Sequence, residues 1–438
     1  MRLSDASSLL STLHSYLHDQ PHLGERHRIW SAETTTLVLL AMLVPSQPAG
    51  YKRTITNVHE ELGDELDWKR APDAAGFVRA RHNLLRVDDL ITLQRRIMDD
   101  ELTREMSAAG RWKGYRVIAY DGSWWLLPST PDLIKHYGQP TQGKTTAYQP
   151  QVLVSTLWDT GSLQPILWND QPYDGSERSA LVNMHEKLAD DDIVVADRGL
   201  PSHDILVDMA MTKRLFVFRM IAKEMGAFHE LVPFIRNRKI KDQTILISCS
   251  GADCTPAPAE FIRFVKRRNL DGTWSILATN LPESLATLEE LFYLYGRRWS
   301  IELAYRDVKM RYRAENFHGT TVEFVRQEIA GVFLLLTLES MIDGAAHRQA
   351  QTGKRFSRAA LGDRMKKILF TAWRVRRSKE ALLSVCRGLE AVTSITIPSR
   401  PDRHFERICK SQYGRWRFDR SRKGLAGAVL PPVVSMVA

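Results

Sequence analysis

Cysteine is scarce in this chain, with four among 438 residues. That is too few for a disulfide scaffold at this length. Cys249 and Cys254 lie close together, but no second Cys or His pair completes a zinc site. A reducing cytoplasm is the expected compartment. Long apolar runs are also missing. Residues 36–44 and 329–338 are much shorter than the roughly 20 residues a spanning helix needs. No secretory signal peptide is visible. These absences predict a soluble protein. There is no internal repeat and no long low-complexity tract.

Hydrophobic residues make up 44% of the chain, enough for a sizeable core. The length suggests two to four domains at roughly 100–200 residues each. The formal net charge is +10 and the pI about 9.4, a modest excess when spread evenly. Charge becomes informative where it clusters, because clustered cations release counterions from a phosphate backbone. Between Arg400 and Lys423 nine Lys and Arg stand against three acids, Asp402, Glu406 and Asp419. Tyr413, Trp416 and Phe418 are interleaved there. A second basic run comprises Arg364, Lys366, Lys367, Arg374, Arg376, Arg377 and Lys379. A nucleic-acid partner and a plain solvated surface account equally well for such clusters.

Residues 1–108 read as mostly helical, with apolar residues recurring at helical spacing around 37–43, 84–91 and 93–97. A small DNA-binding unit and a plain packing domain fit this pattern equally. From 115 onward the pattern changes. A β-rich run at 115–120 ends at Asp121-Gly122. A longer strand at 148–158, a turn at 159–162 and a return strand at 163–168 follow. Then come a helix at 179–188, a short apolar strand at 192–196 ending at Asp197, a helix at 202–211 and a strand at 215–218. This order predicts an α/β fold, a ribonuclease H-like mixed sheet flanked by helices. Residues 220–286 read as a mainly β insertion, and helices resume at about 287. The resulting division is a helical N-terminal domain (1–108), a core in two parts (109–219 and 287–350) around the insertion (220–286), and a helical and basic C-terminal region (351–438).

Asp121 and Asp197 each end a predicted hydrophobic strand, the edge of an open α/β sheet where ligands gather. Either one alone is more often a turn or cap residue. Two carboxylates held close repel unless a cation sits between them. Hard oxygen ligands favour magnesium or manganese. A third carboxylate comes from residues 295–309. Taken as one helix with Tyr295 at 0°, Arg298, Glu302 and Lys309 fall at about 300°, 340° and 320°. Leu294, Ile301, Ala304 and Val308 form a separate apolar stripe at about 180–260°. Such a helix packs on a sheet and still offers Glu302 at its edge. A solvated helix with an Arg298–Glu302 pair at four-residue spacing is the plainer alternative.

Tyr295, Arg298, Glu302 and Lys309 fit the spacing Y-x2-R-x3-E-x6-K in residue type and position. With residues 291–294, Phe317-His318-Gly319, residues 271–281, Val195-Ala196-Asp197-Arg198-Gly199 and Tyr120-Asp121-Gly122-Ser123, the chain resembles the bacterial insertion-sequence transposases of the DDE type over about 115–340. The resemblance implies a ribonuclease H-like core with a β insertion before the glutamate. It implies that Asp121, Asp197 and Glu302 are a catalytic triad binding two Mg²⁺ ions, with Mn²⁺ as an alternative. It implies that Tyr295, Arg298 and Lys309 hold DNA phosphates near the cut. Trp274, on the insertion, would stack on a flipped base near the transposon end, although a core tryptophan is the commoner case. Arg198 and the tail residues Arg415, Trp416 and Arg417 are further expected DNA contacts. The implied activity is metal-dependent cleavage at transposon ends and strand transfer into target DNA, with a hairpin route known among related enzymes. The implied partners are terminal inverted repeats and target DNA, held by a homodimer that pairs two ends. The implied location is the bacterial cytoplasm, at the nucleoid. A nuclease without strand transfer and a DNA-binding relative without catalysis are the two alternatives.

Overall fold

Strands buried on both faces must be apolar on both, and the central runs of this chain are. The protein is described by a computed structural model over residues 29–44, 50–142, 145–223, 228–249, 258–269, 272–350, 355–356, 358–374 and 396–397. The main strands are β1 (Arg116–Leu126), β2 (Gln151–Asp159), β3 (Gln164–Pro172), β4 (Asp192–Ala196), β5 (Leu215–Met220), β6 (Asp242–Ser248), β7 (Ala259–Arg268) and β8 (Trp274–Thr279). They form one sheet in the order β3-β2-β1-β4-β5-β8-β7-β6. β1, β4 and β5 run parallel, and β2 and β3 are antiparallel additions. That is the ribonuclease H-like arrangement. The strands of the 220–286 segment extend the same sheet, since β8 pairs antiparallel with β5 and β7 with β8.

One expectation needs correction. β1 does not end at Asp121 but continues to Leu126. Its partner β4 stops at Ala196, opposite Tyr120, so beyond that point β1 is held by β2 alone. Asp121 therefore sits at the end of the parallel pairing rather than at the end of its own strand.

Alternation along the strands sorts the core into two faces. On one, Val117 and Ala119 join a cluster that includes α1 (Ala32–Leu43), α4 (Val87–Met98), α10 (Leu288–Gly296), α11 (Trp299–Met310), α12 (Val322–Ala350) and α13 (Arg358–Arg374). On the other, Ile118 and Tyr120 pack with α7 (Glu177–His185) and α8 (His203–Met211). Among the described residues the remaining α-helices are α2 (Tyr51–Leu62), α3 (Ala74–Leu84), α5 (Glu101–Ala109), α6 (Pro131–Tyr137) and the short α9 (Val232–Arg236). α1 is buried on all sides from Thr35 to Leu43, with a continuous apolar run from Leu37 on, as a core helix must be. Ser31 caps it in a reciprocal box with Thr34. No helix among the described residues is long and apolar enough to cross a membrane.

Two ionic contacts fix the frame. Arg116 donates to both carboxylate oxygens of Asp192, at 2.6 and 2.7 Å, which locks the register of β1 on β4. Arg81 of α3 is fully buried and donates to Gln327 at 3.0 Å, to Glu328 at 3.1 Å and to the Phe324 carbonyl at 3.0 Å, all on α12. Glu328 in turn accepts the backbone N–H groups of His318 and Gly319.

Candidate active site

The register of two parallel strands brings the aspartates together. Tyr120 pairs with Ala196, and the next residue on each strand is Asp121 or Asp197. Both continue the face of Val117, Ala119 and Val195, toward α10 and α11. The Gly122 N–H donates to Asp121 at 3.0 Å.

The opposing helices supply the rest. Residues 295–309 do not form one continuous helix. α10 ends at Gly296 and α11 begins at Trp299. At the joint Arg297 and Arg298 donate to Leu294 and Tyr295, three residues back, so the chain is locally overwound. Tyr295 and Glu302 thus lie on different elements and still meet at one edge. The Tyr295 hydroxyl donates to Asp197 at 2.9 Å. The Arg298 guanidinium lies 3.6 Å from Asp121 and is ion-paired with Glu302. Lys309 stands farther along, donating to the Trp124 carbonyl and lying 3.5 Å from Glu315. The buried Tyr305 hydroxyl donates to the carbonyls of Asp121 and Val154, at 2.8 and 3.0 Å, and so seats α11 on β1 and β2.

The two aspartates are electrostatically unlike. Burial raises the Asp121 pKa to about 7; Arg298 opposes this, Glu177 and Glu302 add to it. Burial pushes Asp197 the same way, but the Arg198 N–H, Tyr295, Arg298 and Arg219 outweigh it and leave its pKa lowered. An all-carboxylate set crowded at one edge suits a hard divalent cation. Arg298, bridging Asp121 and Glu302, provides part of that positive charge itself. Among the described residues the tightest group of potential ligands lies elsewhere, at His203, His229 and Glu230, whose donor atoms fall within 4.8 Å of one another. There both imidazoles face one Glu230 oxygen at 3.3 Å, an arrangement that hydrogen bonding explains.

Residues 112–338 match the family model described as the transposase DDE domain. The chain belongs to that family. Over 321 residues this insertion-sequence transposase is 23% identical to transposase InsG of insertion sequence element IS4 from Escherichia coli strain K12, covering 71% of each chain. A solved piggyBac transposase synaptic complex with hairpin DNA aligns with 10% identity and a TM-score of 0.43, covering 91% of this chain and 83% of that one.

Other predicted residues fall in different places in the transposase. Arg198 is exposed in the turn after Asp197. Trp274 opens β8, beyond the Ile276–Met220 pair and so past the end of β5. It is half-buried with the Lys266 ammonium 5.2 Å from its ring, and it is not part of the Asp121, Asp197 and Glu302 cluster. Arg415, Trp416 and Arg417 lie outside the described residues. Three neighbours of the acids were missed. Arg219, on β5, stands 3.8 Å from Asp197. Tyr305 holds the Asp121 backbone. Glu177, from the opposite face of the sheet, acts electrostatically on both aspartates. An arginine ending an apolar strand at 215–220 was an available signal for the first. Only tertiary packing reveals the other two.

Proposed function

We propose that this transposase cleaves DNA at the ends of its element and joins the freed 3′ ends to target DNA, with Asp121, Asp197 and Glu302 as its metal ligands. The observation that carries the proposal is the meeting of the three carboxylates at one sheet edge, two by strand register and one from α11. Asp121, Asp197 and Glu302 would hold magnesium or manganese, two ions per site, and the metal would supply Lewis acidity for phosphoryl transfer. The protein residues do the remaining work. Tyr295 orients Asp197 through its hydroxyl. Arg298 pairs with the acids in the resting site and exchanges that pairing for a DNA phosphate as a charged donor. Lys309 holds a second phosphate near the far end of β1. Arg198 contacts the backbone beside Asp197, and Trp274 stacks on a flipped base at the transposon end. Residues 1–108 and the basic tail, including Arg415, Trp416 and Arg417, grip the terminal repeats in a homodimer that pairs two ends. A hairpin on the transposon end, the route known among related enzymes, is one way to free that end.

The test is a cleavage assay on end-labelled duplex carrying the element's terminal inverted repeat. Cutting at the repeat boundary is expected with magnesium or manganese, none with EDTA, and none with Glu302→Ala in either metal. Joined product is expected when target DNA is added. Cutting without joining would replace the proposal by a nuclease. Specific binding of paired ends with no cutting in either metal would replace it by a DNA-binding protein without catalysis.

A further inference from the structure

We propose that Glu177 is a fourth carboxylate of the ion site and a positioning residue for the divalent cation, an inference that rests on the assignment of Asp121, Asp197 and Glu302 above.

Glu177 is the first residue of α7, on the sheet face opposite Glu302. An acid in a first helical turn is ordinarily explained by the helix dipole. Here the side chain does something else. A Cβ built on Gly122 would fall 2.8 Å from both Cγ and Cδ of Glu177 and closer still to its Oε1. The carboxyl group therefore rests on the backbone next to Asp121, and glycine at 122 leaves it room. The residue is clamped from both sides. The Tyr120 hydroxyl, one residue before Asp121, donates to the Glu177 carbonyl. Arg178 donates to the carbonyls of Leu200 and Gly199, at 3.0 and 3.1 Å, in the turn that follows Asp197. Glu177 is thus fixed between the two segments that carry the aspartates.

Its electrostatics agree with this placement. A helix dipole lowers a glutamate's pKa, yet that of Glu177 is raised, first by burial and further by Asp197, against the pull of Arg178. Carboxylates that converge from both faces of a sheet are relieved by a cation at the edge between them.

The test is Mn²⁺ binding to the full chain without DNA, with free Mn²⁺ read by electron paramagnetic resonance. The Mg²⁺ concentration for half-maximal cleavage is measured in parallel. Glu177→Gln is expected to weaken Mn²⁺ binding about tenfold, the lower end of what residues surrounding metal ligands contribute, and to raise the Mg²⁺ requirement in step. Gly122→Ala, which displaces the carboxyl group without removing it, should give the same shift. Glu177→Asp should recover part of the affinity. Unchanged Mn²⁺ affinity in both Glu177→Gln and Gly122→Ala, with affinity lost in Asp197→Asn, would overturn the role of Glu177 and leave the triad standing. Absence of Mn²⁺ binding in the unaltered protein would overturn both.

Discussion

Asp121→Asn is expected to stabilise the metal-free protein at pH 8 while lowering cleavage by at least about 1,000-fold, the scale on which members of a cooperating catalytic unit fail. The two effects share one cause. Burial holds the Asp121 pKa up at about 7, with Glu177 and Glu302 adding to it and Arg298 only partly opposing. A carboxyl group with a raised folded pKa contributes stability that is full below its unfolded value and is lost as pH rises through its folded value. The stability is therefore lost between about pH 4 and 7, and above pH 7 the ionised side chain is a liability that neutral Asn avoids. At about 1.36 kcal/mol per unit, the rise from 3.8 to about 7 makes the difference at pH 8 about 4 kcal/mol. It should shrink to nothing near pH 4. Urea midpoints in EDTA at pH 4.5, 6 and 8 measure it. Equal midpoints for variant and unaltered protein at pH 8 would show that the acids are not crowded as described.

A site that costs stability needs a frame that does not yield. Two devices at the edge supply one. The bidentate Arg116–Asp192 pair sits five residues before Asp121 and Asp197 on their respective strands, so slipping the register by one residue would break it. Tyr305 grips the carbonyls of Asp121 and Val154 together, so α11 cannot slide without losing both bonds. Strand register places two acids and helix seating places the third. Like charge is held close because local geometry is set by contacts outside the charged groups.

What the sequence disclosed follows the same division. Asp121, Asp197 and Glu302 were legible because each stands in a local pattern, two after apolar strands and one at helical spacing from Tyr295 and Arg298. The overwound joint at Arg297 and Arg298 was not, since no proline or glycine run announces it, although Tyr295 and Glu302 still reach the same edge across it. The strands of 220–286 were legible as strands. Their addition to the core sheet was not, because the pairing of β8 with β5 joins residues far apart in sequence. Glu177 lay outside the helix expected at 179–188, and only the folded chain brings its carboxyl group onto Gly122. His318 and Gly319 were noted for their resemblance to a family motif. Their backbone groups turn out to hold Glu328, whose pKa stays low against burial through His318 and Arg81.

Arg81→Met is expected to lower the unfolding free energy by about 3–5 kcal/mol, the usual cost of leaving one member of a buried ion pair without the other. Arg81 is fully buried and makes more than a single pair. Its guanidinium bonds Gln327, Glu328, the Phe324 carbonyl and the Tyr51 hydroxyl, and lies 4.4 Å from the Phe324 ring. Methionine fills much of the volume and satisfies none of these acceptors, so Glu328 is left charged with the backbone donors of His318 and Gly319 and the His318 imidazole, 3.7 Å away, in place of the guanidinium. Adding Glu328→Gln should recover part of the loss by removing the stranded charge. It cannot recover all of it, because the N–H groups of His318 and Gly319 bond separate oxygens of Glu328 and the amide offers one. Urea denaturation of the single and double variants separates the terms. A double variant no more stable than Arg81→Met would mean that the lost bonds to Gln327, Tyr51 and Phe324, rather than the charge on Glu328, make this arginine indispensable.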